Sequence, residues 1–231
     1  MDSVVLPDGV SSSQVARFSR QMLVSDMGGA GQAKCCRSRV LVVGAGGLGS
    51  AVIPCLTGAG VGTLGICDPD TVEVSNLHRQ FMHREADAGT ANKAHSAARM
   101  ARELNSDVVT EVHAEALNAE NALELVGRYD LVVDASDNPR TRYLLSDACV
   151  LAGRPLISGS AIGLEGQLTV YNFQGGPCYR CVYPNPPKTA ASCSDNGVMG
   201  PVPAVIGNLQ SLEALKIIAG FGEVLSGTLV M

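Results

Sequence analysis

The chain has 231 residues, enough for one sizeable core, and its 46% hydrophobic and 17% charged content is that of a folded globular protein. A net charge of −5 and a pI near 5.3 argue against nucleic acid or an anionic membrane as the main partner. The opening MDSVVLPDGVSSSQ has neither a basic leader nor a long apolar stretch, so a cytosolic address is expected, in which the eight cysteines stay reduced.

Residues 1–13 read as a disordered lead to a single domain over 14–231. Ser13 is expected to cap a helix reaching about Leu23, with Arg17 and Arg20 on one face. Glycines 28, 29 and 31 should break it, and a short segment then leads into the first strand. Val40–Val43 is a continuous apolar run, as in a strand buried on both faces of a parallel sheet. Gly44, Gly46 and Gly49 then give G-x-G-x-x-G, a turn tight enough for backbone N–H groups to reach a phosphate at a helix N-terminus.

Pro54 should kink the helix that follows. A second apolar run, Thr63–Cys67, delivers Asp68 roughly twenty residues after the glycines, where a carboxylate can accept hydrogen bonds from ribose hydroxyls. The unit is βαβ with a nucleotide at its mouth. NAD, FAD and ATP all use this geometry. Residues 40–67 carry no charge and could pass for a membrane span, but glycines and Pro54 dilute the run.

Residues 68–93 are too polar and irregular for a core element. They follow a strand's C-terminal end and carry Arg79, Arg84 and Lys93, as a phosphate-binding loop would. Asn92–Leu104 is expected to be a helix, Val108–Ala114 an edge strand, Ala119–Val126 a helix and Asp130–Val133 a buried strand. Asp137 or Asn138 can cap the next helix, with Pro139 at its first position. Pro155–Ser160 and the alternating Glu165–Phe173 are further strands, the latter pointing to an antiparallel or mixed sheet.

Gly175–Pro201 has no periodicity. Ala204–Ala219 reads as an amphipathic helix with Val205, Leu209, Leu212 and Leu215 in register, and Thr228–Met231 as the start of a strand. Cys35, Cys36, Cys55, Cys67 and Cys149 lie in or beside these elements and read as small hydrophobes. Cys178, Cys181 and Cys193 sit instead in the polar, proline-rich stretch. Cys178 and Cys181 form C-x-x-C, half a zinc site or a redox pair.

RFSRQ (17–21), GAGGLG (44–49), DPDTVEVSNLHRQF (68–81), SDN (136–138), EGQLTVY (165–171), PCYRC (177–181) and Cys193 occur in an order that resembles the ThiF, MoeB and HesA branch of ubiquitin-activating-like enzymes. The likeness spans about 17–231 and is greatest to the eukaryotic members that serve molybdopterin synthesis and transfer-RNA thiolation. It implies an α/β, Rossmann-like domain with a mixed, largely parallel sheet, helices on both faces and antiparallel strands in the C-terminal half.

The activity implied is ATP- and magnesium-dependent adenylylation of the C-terminal glycine of a ubiquitin-like sulfur carrier ending in Gly-Gly, which is thereby activated for thiocarboxylate formation. The resemblance places Gly47 against the nucleotide and Asp68 on the ribose, and makes Ser75, Asn76, Leu77, His78 and Arg79 the phosphate loop. Asn76 and Arg79 contact phosphates, Lys93 the β/γ end, and Asp137, beside Asn138, the magnesium. Arg20 is implied to reach the partner's γ-phosphate in a homodimer.

Cys193 matches the cysteine of acyl or sulfur transfer, since a thiolate suits attack on an acyl adenylate. The family closes a structural zinc with Cys178, Cys181 and a second C-x-x-C that this sequence lacks. Gly89 to Lys93 is also one residue longer than the family's spacing. The family's longer members carry a rhodanese domain that this sequence does not include, so sulfur delivery is expected from a donor or rhodanese partner or from a C-terminal part beyond a chain that reads as truncated. Competing readings are a modifier-activating enzyme working through a cysteine thioester, an NAD-dependent oxidoreductase, and an inactive subunit that only docks a carrier.

Overall fold

Five parallel strands and one antiparallel strand form a single sheet in the computed structural model, which describes residues 10–186 and 197–231. In chain order the elements are α1 (Ser12–Met22), α2 (Gly28–Arg37), β1 (Arg39–Val43), α3 (Gly49–Ala59), β2 (Thr63–Cys67), α4 (Lys93–Leu104) and β3 (Val109–His113). There follow α5 (Ala122–Gly127), β4 (Leu131–Asp134), α6 (Pro139–Ala152), β5 (Leu156–Ile162), β6 (Glu165–Tyr171), a one-turn α7 (Tyr179–Val182) and α8 (Pro201–Ala219). The strand order is β3-β2-β1-β4-β5-β6, with only β6 antiparallel to its neighbour.

The pleat of β1 divides the core. Val40 and Val42 pack with Val52, Ile53 and Leu56 of α3 and with the alanines of α4, whereas Leu41 and Val43 face α5 and α6. Both faces are therefore buried, which is why this strand reads as unbroken valine and leucine rather than as an alternation.

The structure departs from the sequence reading in several places. The N-cap of α1 is Ser11 rather than Ser13: Ser11 Oγ accepts from Gln14 N at 3.3 Å and Gln14 Oε1 from Ser11 N at 2.9 Å, a reciprocal capping box. Residues 28–37 are helical despite their glycines, because close packing outweighs propensity. A Cβ on Gly31 would lie 3.0 Å from Met27 Sδ and 3.2 Å from Ala219 Cβ, so α2 approaches the end of α8 through that glycine. Helix α3 does carry Pro54 inside it, where the sequence reading placed it.

Helix α5 begins at Ala122, later than the sequence pattern places it, and Thr228–Met231 forms no strand, only a bridge from Val230 to Leu168. The loop after β2 contributes to the interior after all, since Gln80, Met82, His83 and Asp87 are buried.

Helix α8 is rotated relative to its expected stripe. Ile206, Gly207, Gln210 and Ala214 face inward, while Val205, Leu209 and Leu212 stand exposed and Leu215 is half-buried. The helix is apolar nearly all round, so periodicity cannot choose a face. Close approach does: a Cβ on Gly207 would meet the Leu48 carbonyl, and Gln210 Nε2 donates to the Asp134 carbonyl at 2.7 Å.

Candidate active site

The chain leaves β1 into α3 on one face of the sheet and β4 into α6 on the other, and between these diverging ends opens a cleft of about 410 Å³. This is the switch point at which open α/β sheets take ligands. The glycine loop forms one wall. Gly44 has φ +105°, and a side chain there would strike the Ala135 carbonyl, while one on Gly49 would strike Gly44 O. Gly47 leaves room for Pro203, whose ring would lie 3.2 Å from an added Cβ. The N–H groups of Gly46 and Gly47 have no acceptor among the described residues.

Asp68 is buried at the end of β2, with Oδ2 accepting from Ala45 N at 2.7 Å and Oδ1 from Asp70 N at 2.9 Å. Burial pushes its carboxyl above the ordinary range, and the Ala45 N–H opposes that. Asp68 thus braces the glycine loop, a role that spacing alone does not show. Asn92 ties the same corner from the other side: its Nδ2 donates to the Asp68 and Asp70 carbonyls at 2.9 and 3.0 Å, while its Oδ1 caps α4. Lys93, at the first position of α4, is buried and reaches Asp70 at 2.8 Å.

Gly47, Asp68, Arg79, Lys93, Asp137 and Asn138 all line the cleft. Ser75, Asn76, Leu77 and His78 do not. They form a turn beside it that bonds to itself, with His78 Nδ1 3.1 Å from Ser75 O and Arg79 Nη1 donating to Ser75 O at 3.4 Å. Asn138 Oδ1 accepts from Thr141 N at 2.8 Å, so Asn138 caps α6 with Pro139 in its first turn. Asp137 is left exposed, with no protein partner among the described residues. Arg20 is exposed on α1 and is not part of the cleft wall. Cys193 lies outside the described residues.

A second group at the cleft floor escaped the sequence reading. Asp134, fully buried at the end of β4, accepts from Ser136 N at 3.0 Å, Ser136 Oγ at 2.6 Å, Ser158 Oγ at 3.1 Å and Arg142 Nε at 3.0 Å. Arg142 Nη2 donates further to Gly159 O at 3.2 Å, bridging β4, β5 and α6 beneath Asp137. The only sequence signal was an aspartate ending an apolar strand, which capping explains equally well. Gln80 Oε1, also at the cleft, is buried without a partner among the described residues.

Cys178 and Cys181 Sγ are 3.6 Å apart on one turn. That is close to the roughly 3.8 Å edge of a tetrahedral zinc thiolate with ~2.3 Å bonds, so the pair fits two of four ligands. Among the described residues, no group of three or more His, Cys, Asp or Glu gathers to complete a metal site. Cys35, Cys67 and Cys149 are buried, and burial pushes the first two thiols up to about 12, consistent with inert packing; Cys55, by contrast, is exposed and Cys36 only half-buried. No described helix is long and apolar enough to cross a membrane.

The ThiF family model matches residues 18–231. Adenylyltransferase and sulfurtransferase MOCS3 of Arabidopsis thaliana is 51% identical over 228 residues, covering 98% of this chain and 49% of that protein. Its namesake in Aedes aegypti is 53% identical over 224 residues, covering 96% and 51%. The chain thus spans about half the length of the curated relatives it matches. Among solved structures, E. coli MccB with ATP superposes with a TM-score of 0.77 at 25% identity, over 91% of this chain and 66% of that one.

Proposed function

The chain belongs to the ThiF family, and from that premise we propose that it uses ATP to adenylylate the C-terminal glycine of a ubiquitin-like sulfur carrier ending in Gly-Gly. The observation that carries this reading is the meeting, in one cleft, of Asp68, two cations and, both without a partner among the described residues, the glycine loop's N–H groups and the Asp137 carboxylate. MccB, whose fold the chain shares, is described with ATP. The curated relatives are named for adenylyl and sulfur transfer.

In the reaction a carboxylate oxygen of the carrier attacks the α-phosphorus, the bond to the bridging oxygen breaks and pyrophosphate leaves. Two anions must approach, so donors fixed in advance matter most. Gly46 and Gly47 N–H groups offer such donors on the glycine loop, and Asp68 has lone pairs left for the ribose. Arg79 and Lys93 face the negative charge that builds on the departing phosphates, with Asp70 holding Lys93 extended. Asp137 would hold a magnesium ion, which when bound screens the phosphate oxygens.

Cys193 belongs to this reading as the nucleophile of a later acyl or sulfur transfer, and Cys178 with Cys181 as half of a structural zinc site. Molybdopterin synthesis, transfer-RNA thiolation or both are the pathways this reading serves, with sulfur supplied by a donor or rhodanese partner. A reducing, cytosolic setting suits seven described cysteines that are all free. The test is ATP–pyrophosphate exchange with a panel of Gly-Gly-ending ubiquitin-like proteins. Carrier-dependent exchange is expected; its absence across the panel, with ATP bound, would reject the reading.

A homodimer completes the proposal. Exposed Arg20 is free to reach a second copy, and the exposed Val205, Leu209 and Leu212 give α8 an apolar face suited to a partner. Mixing Arg20→Ala with Asp68→Ala protein, each inactive alone, should restore part of the exchange rate in heterodimers that keep one intact composite site. No recovery despite proven subunit exchange would contradict a role for Arg20 across the interface.

A further inference from the structure

Behind the glycine loop, on the side away from the cleft wall, lies a buried chain of polar groups that the proposed reaction does not use. His83 Nε2 is 2.8 Å from the Ala45 carbonyl, His83 Nδ1 is 2.9 Å from Ser96 Oγ, and Ser96 Oγ is 2.8 Å from Asp87 Oδ2. Arg99 also donates to that carboxylate oxygen. Both ends of the chain are acceptors, so its three contacts need three hydrogens. A neutral imidazole and a hydroxyl bring two; an imidazolium and a hydroxyl bring three.

We infer that His83 is a positioning residue whose second proton locks the glycine loop, so that the site takes nucleotide more tightly when the His83–Ser96–Asp87 chain carries three hydrogens than when it carries two. This rests on the reading of the cleft as a nucleotide site. With two hydrogens, one contact must fail. A hydrogen bond to a carboxylate is roughly twice as strong as one between neutral groups, so Ser96 keeps its hydrogen on Asp87; donating to a carboxylate polarises Oγ into the stronger acceptor, and His83 donates to it from Nδ1. Nε2 then turns a bare lone pair towards the Ala45 carbonyl.

That carbonyl shares its peptide plane with the Gly46 N–H. A trans peptide points the two in opposite directions, so His83 holding Ala45 O on one side aims the Gly46 N–H to the other. Asp68 fixes the N–H of Ala45 in the same way. With both amide planes held, the Gly46 N–H, unpaired among the described residues, is set before a phosphate arrives; without the His83 contact, its plane is free to turn.

The charged groups facing His83 are Asp87 from the turn Glu85–Asp87 and Lys93 and Arg99 from α4, with Asp68 across the loop. Burial pulls the imidazole below its ordinary range, and Lys93 and Arg99 act in the same direction against the Ala45 carbonyl and Asp87. The changeover therefore lies on the acid side of an ordinary histidine. Since the protonated chain binds nucleotide more tightly, affinity rises as pH falls through the changeover and is level above it.

The test compares magnesium-ATP binding by the wild type and Ser96→Ala from about pH 7.5 down through the His83 changeover, located by its nitrogen-15 shifts, so that titration of the nucleotide itself is common to both. Without the hydroxyl, the neutral ring has no reason to place its hydrogen on Nδ1 and donates to Ala45 O throughout. The wild-type Kd should tighten by at least about three- to tenfold more than that of the variant, the worth of one typical intramolecular hydrogen bond, since the imidazolium is a charged donor. Parallel pH profiles would overturn the inference.

Nitrogen-15 spectra of the wild type give an independent reading that does not depend on the variant or on nucleotide binding. Above the changeover His83 should be the Nδ1–H tautomer. An Nε2–H tautomer there would overturn the inference even if ATP binds. Failure to bind ATP at any pH would instead sink the nucleotide reading, and the tautomer would still decide the proton count.

Discussion

Asp137→Ala is expected to lower magnesium-dependent pyrophosphate exchange by ~10²- to 10³-fold, about the loss seen when one preorganised stabiliser of a charged transition state is removed. The fold should survive. Asp137 is exposed, has no protein partner among the described residues, and leaves the capping of α6 to Asn138 and Pro139. Surface substitutions of that kind usually stay within about 0.5 kcal/mol, so a thermal melt run beside the exchange assay should be almost unchanged. Undiminished exchange would remove Asp137 from the metal assignment, and a large fall in melting temperature would give it a structural role instead.

Arg142→Ala should have the largest effect on stability, about 3–5 kcal/mol, because it strands a fully buried carboxylate. Asp134 would keep its serine donors, Ser136 and Ser158, but lose its only ion-pair partner among the described residues, and the Gly159 carbonyl would lose a donor. Against a typical total of about 5–15 kcal/mol, such a loss is severe. Urea unfolding would measure it. Adding Asp134→Asn should recover part of the loss, since a neutral amide is cheaper to bury than an unpaired charge. A midpoint unmoved by Arg142→Ala would mean that the pair stabilises little.

The elements legible in the sequence are those whose local pattern has one solution. Thr63–Cys67 is an apolar run bounded by Gly62 and Asp68, and it forms β2 at those residues. Asn138-Pro139 admits little except the start of a helix, and α6 starts there. In the site, the glycines and Asp68 were readable because a tight turn and a strand-end carboxylate lie at a fixed spacing.

What could not be read depends on contacts between distant segments. Nothing local reveals that Gly31 makes room for Ala219, or that Gly207 lets α8 sink onto Leu48, although these close approaches decide whether residues 28–37 are helical and which side of α8 is buried. Arg142 looks like a solvated helix arginine until β4 and β5 bring Asp134 and Gly159 beneath it. His83 is likewise an unremarkable residue in a polar loop until α4 supplies Ser96.

The pairing of β1 with β4 also sets the order in which this molecule can be made. Val40 and Leu131 are register partners, roughly ninety residues apart in the chain, a long loop to close and therefore slow to form. At a synthesis rate of about 5–20 residues per second, β1 waits for some 5–18 s before its central neighbour has been translated. During that time the glycine loop lacks the Ala135 carbonyl against which Gly44 turns, and a strand with no charge after Arg39 stands unpaired on one side. A nascent chain stalled within that interval should expose apolar surface to chaperones and hold no nucleotide. ATP retention by ribosome-bound chains would therefore mark the moment at which the two halves of the sheet join.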